Sequence, residues 1–317
     1  MKYNFKTYCG LLFMVLFPLS IPFAITTQSA SPEGSEARLI STVRYLSEEI
    51  GERSFRDLPK LNKTADHIES SLRSLGCLVS RQAFTYEGRT YYNVIGEVKG
   101  THPGKKEILI IGAHYDTAVG TPGADDNASG VAGLLELARL TALDPAERTI
   151  RFVAFSLEEP PVFGTQDMGS YVYAKQVAQE GAKVYGMIAL EMVGYFCEEK
   201  GCQSYPTGVG WLFPDKGNFI SFVGNLSSRS FTREVKRSFA TADDLAVETL
   251  NTFSSVTGVD FSDHRNFWKF GFDAFMVTDT AFNRNRSYHE PEDTWEKLDF
   301  KRMNQVITGL YRAMRSL

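Results

Sequence analysis

Apolar residues recur at helical spacing from Ala37 to Glu49 and again from Thr64 to Leu75, which predicts two amphipathic helices, the second with Thr64 as its N-cap. The period then drops to two. Leu78 to Phe84 and Tyr91 to Val98 alternate on either side of Glu87-Gly88, the pattern of a hairpin at a sheet edge. Three continuous apolar runs come next, Ile108 to Ile111, Ile150 to Phe155 and Val184 to Leu190, of the kind found in strands covered on both faces. Between them, Val131 to Leu143 and Ser170 to Glu180 have helical character. This alternation, without a low-complexity linker or internal repeat, predicts an α/β fold: a mostly parallel mixed sheet flanked by helices on both faces, in one globular domain over residues 31–317.

The first 30 residues have a different pattern. Lys2 and Lys6 precede an apolar stretch from Gly10 to Ile25, and small and polar residues ending Ser29-Ala30 complete it. This reads as a secretory signal over 1–30. The alternative is a membrane anchor, because Tyr8 to Ile25 is close to the shortest span that crosses a bilayer; Pro18 and Pro22 weigh against it. The expected location is extracytoplasmic, periplasmic or secreted, with membrane anchoring through the N-terminus as the alternative. The formal charge is −4, and the leader adds only positive charge to it, so the remaining chain has the wrong sign for a phosphate-binding surface and nucleic acid is excluded as a partner. Of the four cysteines, Cys9 lies in the leader, Cys197 and Cys202 bracket a short polar loop suited to a disulfide, and Cys77 is expected as a buried apolar residue. No CxxC pair occurs, which removes support for a thiolate zinc site.

In sheets of this class ligands bind at the carboxyl ends of the strands. The residues directly after each apolar run therefore carry the chemistry. The first run leads into Gly112-Ala113-His114-Tyr115-Asp116-Thr117 and then Gly123-Ala124-Asp125-Asp126-Asn127-Ala128-Ser129-Gly130. The second leads into Ser156-Leu157-Glu158-Glu159-Pro160-Pro161, and the third ends Leu190-Glu191-Met192. Ser287-Tyr288-His289-Glu290-Pro291 stands much later in the chain. Unpaired buried charges at such strand ends would cost several kcal/mol, a cost that a divalent cation removes. Imidazole and carboxylate donors without thiolate suit zinc, with manganese and cobalt as chemical alternatives. HExxH, GxSxG and Walker signatures are absent, which removes support for a single-helix zinc protease, a serine hydrolase and an NTPase.

From Leu109 to Leu298 this set, in this order, resembles the co-catalytic zinc exopeptidase family that includes secreted bacterial leucyl aminopeptidases, glutamate carboxypeptidase II, glutaminyl cyclases and the transferrin receptor ectodomain. The resemblance implies two zinc ions held by His114, Asp126, Glu159, Glu191 and His289, with Asp126 bridging and a histidine on each ion. Which of Glu159 and Glu191 accompanies which histidine stays open. It further implies Glu158 as general base and a cis Asp126-Asn127 bond. Asp116 is expected to fix the His114 tautomer. Tyr288 is read either as an oxyanion donor or as a packed aromatic. Ser262-Asp263-His264 is expected to support the ligands or line the substrate pocket rather than bind metal.

Two departures stand out: Glu191 where the family usually has Asp, and Pro160-Pro161 where it has Gly. The first leaves open which peptide terminus is attacked. Gly194 to Phe213, with Tyr195, Phe196 and Trp211, is expected to overhang the site. The implied function is a di-zinc metallopeptidase acting on a peptide or small amide, first as an aminopeptidase. The alternatives are a carboxypeptidase-type enzyme, a glutaminyl-cyclase-like acyltransferase, and a non-catalytic receptor-like domain.

Overall fold

The computed structural model describes residues 34–205, 210–240 and 245–317. The leader over 1–30 lies outside the described residues. Helix α1 (Ser35–Arg44) continues into a wider helical turn, Tyr45–Ile50. Helix α2 runs Leu58–Ser74 and starts six residues before Thr64. Asp57 is its N-cap, accepting from the Lys60 backbone N–H, and Pro59 sits in the first turn, where a missing N–H costs nothing. Thr64 is buried mid-helix and donates its hydroxyl to the Lys60 carbonyl. A hydroxyl engaged with the preceding turn cannot cap, so Thr64 is not the N-cap that the periodicity predicts.

Strands β1 (Leu78–Tyr86) and β2 (Arg89–Val98) form the expected edge hairpin. Its two-residue loop, Glu87-Gly88, has φ of 48° and 72°, as a primed turn requires. Next come β3 (Ile108–His114), α3 (Gly130–Leu143), β4 (Ile150–Phe155), α4 (Gly169–Gln179) and β5 (Val184–Glu191), each within a few residues of expectation. Beyond Glu191 lie elements outside the segments read from the sequence above: β6 (Phe219–Asn225), α5 (Arg229–Ala240), β7 (Ala246–Thr252), α6 (His264–Trp268), β8 (Ala274–Thr278) and α7 (Phe300–Ser316).

The strands make one eight-stranded sheet in the order β1-β2-β4-β3-β5-β8-β6-β7. The central run β4-β3-β5-β8 and the outer β6-β7 pair are parallel, while β1-β2, β2-β4 and β6-β8 are antiparallel. One face packs on α1, α2, α3, α5 and α7 through residues such as Leu39, Leu61, Val131, Val235 and Val306. The other packs on α4 and α6 through Tyr173, Val177 and Phe267. Burial on both faces is why β3, β4 and β5 read as unbroken apolar runs. Cys197 and Cys202 form a disulfide, and Cys77 is buried and free. Among the described residues no helix is long and apolar enough to cross a membrane.

Candidate metal centre

His114 and Glu191 are the last residues of β3 and β5, and Glu158 and Glu159 come within a turn of the end of β4. Asp126 lies in the kinked, non-helical turn before α3, and His289 comes from the loop between β8 and α7. The parallel strands thus deliver donors to one end of the sheet, and two loops close over them. His114 Nε2 is 3.2 Å from Asp126 Oδ1 and 3.4 Å from Glu191 Oε2. His289 Nε2 is 3.1 Å from Asp126 Oδ2 and 3.1 Å from Glu159 Oε2. Two triads result, His114/Asp126/Glu191 and Asp126/Glu159/His289, and Asp126 gives one oxygen to each. This resolves the pairing that sequence leaves open: Glu191 goes with His114, and Glu159 with His289.

The donor set fits a pair of cations. His114 Nε2, Asp126 Oδ1 and Glu159 Oε1 are buried without a hydrogen-bond partner, a costly state unless something charged sits among them. Tetrahedral zinc with bonds of about 2.1 Å places its ligand atoms roughly 3.4 Å apart, close to the spacings seen. Electrostatics agree. Burial opposes ionisation of Asp126, but its contacts with both imidazoles outweigh that and hold its carboxylate well below the usual range. Burial likewise opposes the His289 cation, yet Asp126 and Glu159 lift it to about 10. Glu159 is pushed up to about 7, chiefly by burial. Glu158 is raised well above its usual range by burial, with His114 as counterweight and Glu191 and Glu159 adding repulsion.

Supporting contacts hold these donors in place. The Asp116 carboxylate accepts the backbone N–H groups of Glu158 and Glu159, both at 3.1 Å, tying the turn after β4 to the end of β3. The expected bond from its carboxylate to His114 is replaced by a nearer one: His114 Nδ1 is 3.2 Å from the Asp116 carbonyl and 3.6 Å from the carboxylate. That carbonyl leaves Nε2 to face the site. The Asp126-Asn127 bond is cis, as the resemblance implies. Asn127 Oδ1 accepts from Gly130 N and Met192 N, and its amide donates to the Leu190 carbonyl, clamping the Asp-Asn turn to the end of β5. Ser262 donates to Glu191 Oε2 at 2.7 Å. His264, by contrast, donates Nε2 to the Val259 carbonyl and packs on Trp268, away from the donors. Tyr288 stacks on His289 at 3.8 Å between ring centres and lines the same cleft as Glu158.

Sequence reasoning misses two residues. Arg53 is fully buried and donates to the carbonyls of Leu46, Gly51, Tyr115, Pro122 and Gly123, joining the N-terminal helical turn to the loops carrying Asp116 and Asp126. Asp293 accepts from the backbone N–H groups of Asp125 and Asp126. Nothing local marks either, since their partners lie up to 70 and 168 residues away. Of the described residues in 194–213, Gln203, Tyr205 and Phe213 line a pocket beside Glu191. Phe196 is buried behind it, and Trp211 is 82% exposed.

A sheet with a twin-triad carboxylate and imidazole site at its carboxyl end defines a metallopeptidase class. Residues 93–314 match the model of peptidase family M28, and the chain belongs to that family. It is 40% identical over 312 residues to the Escherichia coli (strain K12) protein YfbL, described as uncharacterized, covering 95% of each chain. It is 28% identical over 242 residues to aminopeptidase YwaD of Bacillus subtilis (strain 168), covering 74% of this chain and 47% of YwaD, about half that relative's length. Among solved structures, a zinc aminopeptidase from Bacillus subtilis superposes with a TM-score of 0.69 at 18% identity, over 89% of this chain and 95% of that one. Fimbriiglobus ruber glutaminyl cyclase superposes with a TM-score of 0.65 at 21% identity, over 92% and 97%. At those identities the two structures show the shared fold.

Proposed function

We propose that this peptidase is a di-zinc aminopeptidase in which His114, Asp126 and Glu191 hold one ion and Asp126, Glu159 and His289 the other. The observation that carries the reading is Asp126, whose two oxygens face two different histidines. Zinc is supported by the all-nitrogen-and-oxygen donor set and by the zinc aminopeptidase among the structural neighbours. Complete triads speak against a non-catalytic relative and against a one-ion acyltransferase.

The amino end is favoured by charge. The cleft is lined by Asp126, Glu158, Glu159 and Glu191, and among the described residues no lysine or arginine lines it to hold a terminal carboxylate. With Asp126, Glu159 and Glu191 taken up by the cations, Glu158 is the carboxylate left to face an α-ammonium. Held by the two triads, the cations would supply Lewis acidity to the scissile carbonyl and acidity to a water. Glu158, buried in the cleft, takes the proton of the attacking water and delivers it to the departing amine. Burial first, and then the surrounding carboxylates Asp126 and Glu159, push the Tyr288 hydroxyl far above its ordinary range, so it stays protonated and able to donate to the oxyanion.

A panel of peptides blocked at one end or the other, assayed with zinc and with a chelator, tests the reading. Amino-end blocking is expected to abolish cleavage and carboxyl-end blocking to spare it. Loss of cleavage only on carboxyl-end blocking would refute the aminopeptidase. We also propose that residues 1–30 direct export of a catalytic domain over 31–317. The Cys197–Cys202 disulfide, a bond that persists in oxidising compartments, supports this. Amino-terminal sequencing of the protein from its native host checks it.

A further inference from the structure

The metal cleft does not end at Glu191. Strand pairing aligns Glu191 with Thr278, Thr278 with Ser221, and Ser221 with Glu248. Directly paired residues point to the same face of a sheet, so these four side chains form one polar row across β5, β8, β6 and β7. The parallel row two residues back, Ala189, Met276, Val223 and Leu250, is apolar. All of these residues except Ala189 floor a pocket walled by Val259, Phe261, Phe282 and Tyr205. Glu191, Phe261, Ala281 and Phe282 line both this pocket and the metal cleft, so the two adjoin at these residues.

Apart from Glu191, already engaged by His114 and Ser262, the only charged residue among the described ones lining this pocket is Glu248. No lysine, arginine or histidine among the described residues lines the pocket to neutralise it. A carboxylate at the far end of a mostly apolar channel selects a guest with a long apolar stem and a cationic head. Span is of the right order: three strand spacings put the backbones of Glu248 and Glu191 about 14 Å apart. An extended lysine, with its two ammonium groups hydrogen-bonded at either end, bridges about 13 Å. Leucine would fill the channel mouth and leave the acid unanswered.

We propose that this pocket receives the side chain of an amino-terminal lysine or arginine and that Glu248 is the residue that binds its cation. The inference rests on the aminopeptidase reading. The test compares kcat/KM of the zinc-loaded protein at pH 7 on tripeptides beginning with lysine, arginine, norleucine or leucine and ending Ala-Ala, for the parent and for Glu248→Gln and Glu248→Asp. Norleucine has the lysine stem without the charge. The parent is expected to favour lysine over norleucine at least fivefold. Glu248→Gln should bring that ratio close to one, mainly through KM, and Glu248→Asp should keep most of the preference. A parent that cleaves norleucine as well as lysine overturns the pocket assignment and leaves the aminopeptidase standing, as does a lysine-to-norleucine ratio unmoved by Glu248→Gln. Cleavage confined to the carboxyl end would instead remove the reading beneath it.

Discussion

Glu158 and Arg53 show two ways a buried charge is used in this protein. Glu158 lies in the cleft without a ligand's duties, so removing its charge should spare the metals and stop the chemistry. For Glu158→Gln we expect kcat to fall roughly 10²- to 10⁴-fold with bound zinc unchanged, checked by steady-state kinetics beside elemental analysis. A variant that loses zinc in proportion to activity would make Glu158 a ligand rather than a base. Arg53 works by position: five carbonyls from three separate segments converge on its guanidinium. Burial lowers its pKa to about 10, against the pull of Asp293 and Asp116, which still leaves it charged at neutral pH. Arg53→Met strands those carbonyls, and we expect a loss of about 3 kcal/mol or more in denaturant unfolding.

Among the elements, much is legible in the sequence because the central strands are buried on both faces and their ends carry the candidate metal donors. β3, β4 and β5 are readable as apolar runs, and His114, Glu158, Glu159 and Glu191 as the polar residues at their carboxyl ends. Two elements of the later half, β7 and α6, are less readable for a physical reason. β7 is a half-buried edge strand, Ala246–Thr252, carrying Glu248, Thr249 and Asn251, and it has neither a clean alternation nor an apolar run. α6 is a single turn of five residues, too short for a period. The start of α2 is hidden because Thr64 resembles a cap, while the acting cap is Asp57. Asp57→Ala is therefore expected to cost about 1 kcal/mol in thermal or urea unfolding, whereas an N-cap role for Thr64 would leave Asp57→Ala neutral.

For the whole molecule, the acid cluster couples folding, protons and metal. In the metal-free protein His289 is raised to about 10 and Glu159 to about 7. Both bind protons more tightly folded than unfolded. Their contribution is therefore present in full below the unfolded values, near 4.5 for Glu159 and 6.5 for His289, and is lost as pH rises through about 7 and then about 10. Zinc needs the deprotonated ligands, so its binding strengthens over the same range. The expected outcome is a metal-free Tm that falls from pH 6 to pH 9 and a zinc-induced rise in Tm that is larger at pH 8 than at pH 6. Equal zinc shifts at the two values would contradict this coupling.

The most direct test is anomalous diffraction at the zinc edge from crystals of the zinc-loaded protein. We predict two peaks about 3.5–4 Å apart, one beside His114 and Glu191 and the other beside His289 and Glu159, with Asp126 between them. A single peak, or peaks that touch neither histidine, would contradict the bimetallic centre.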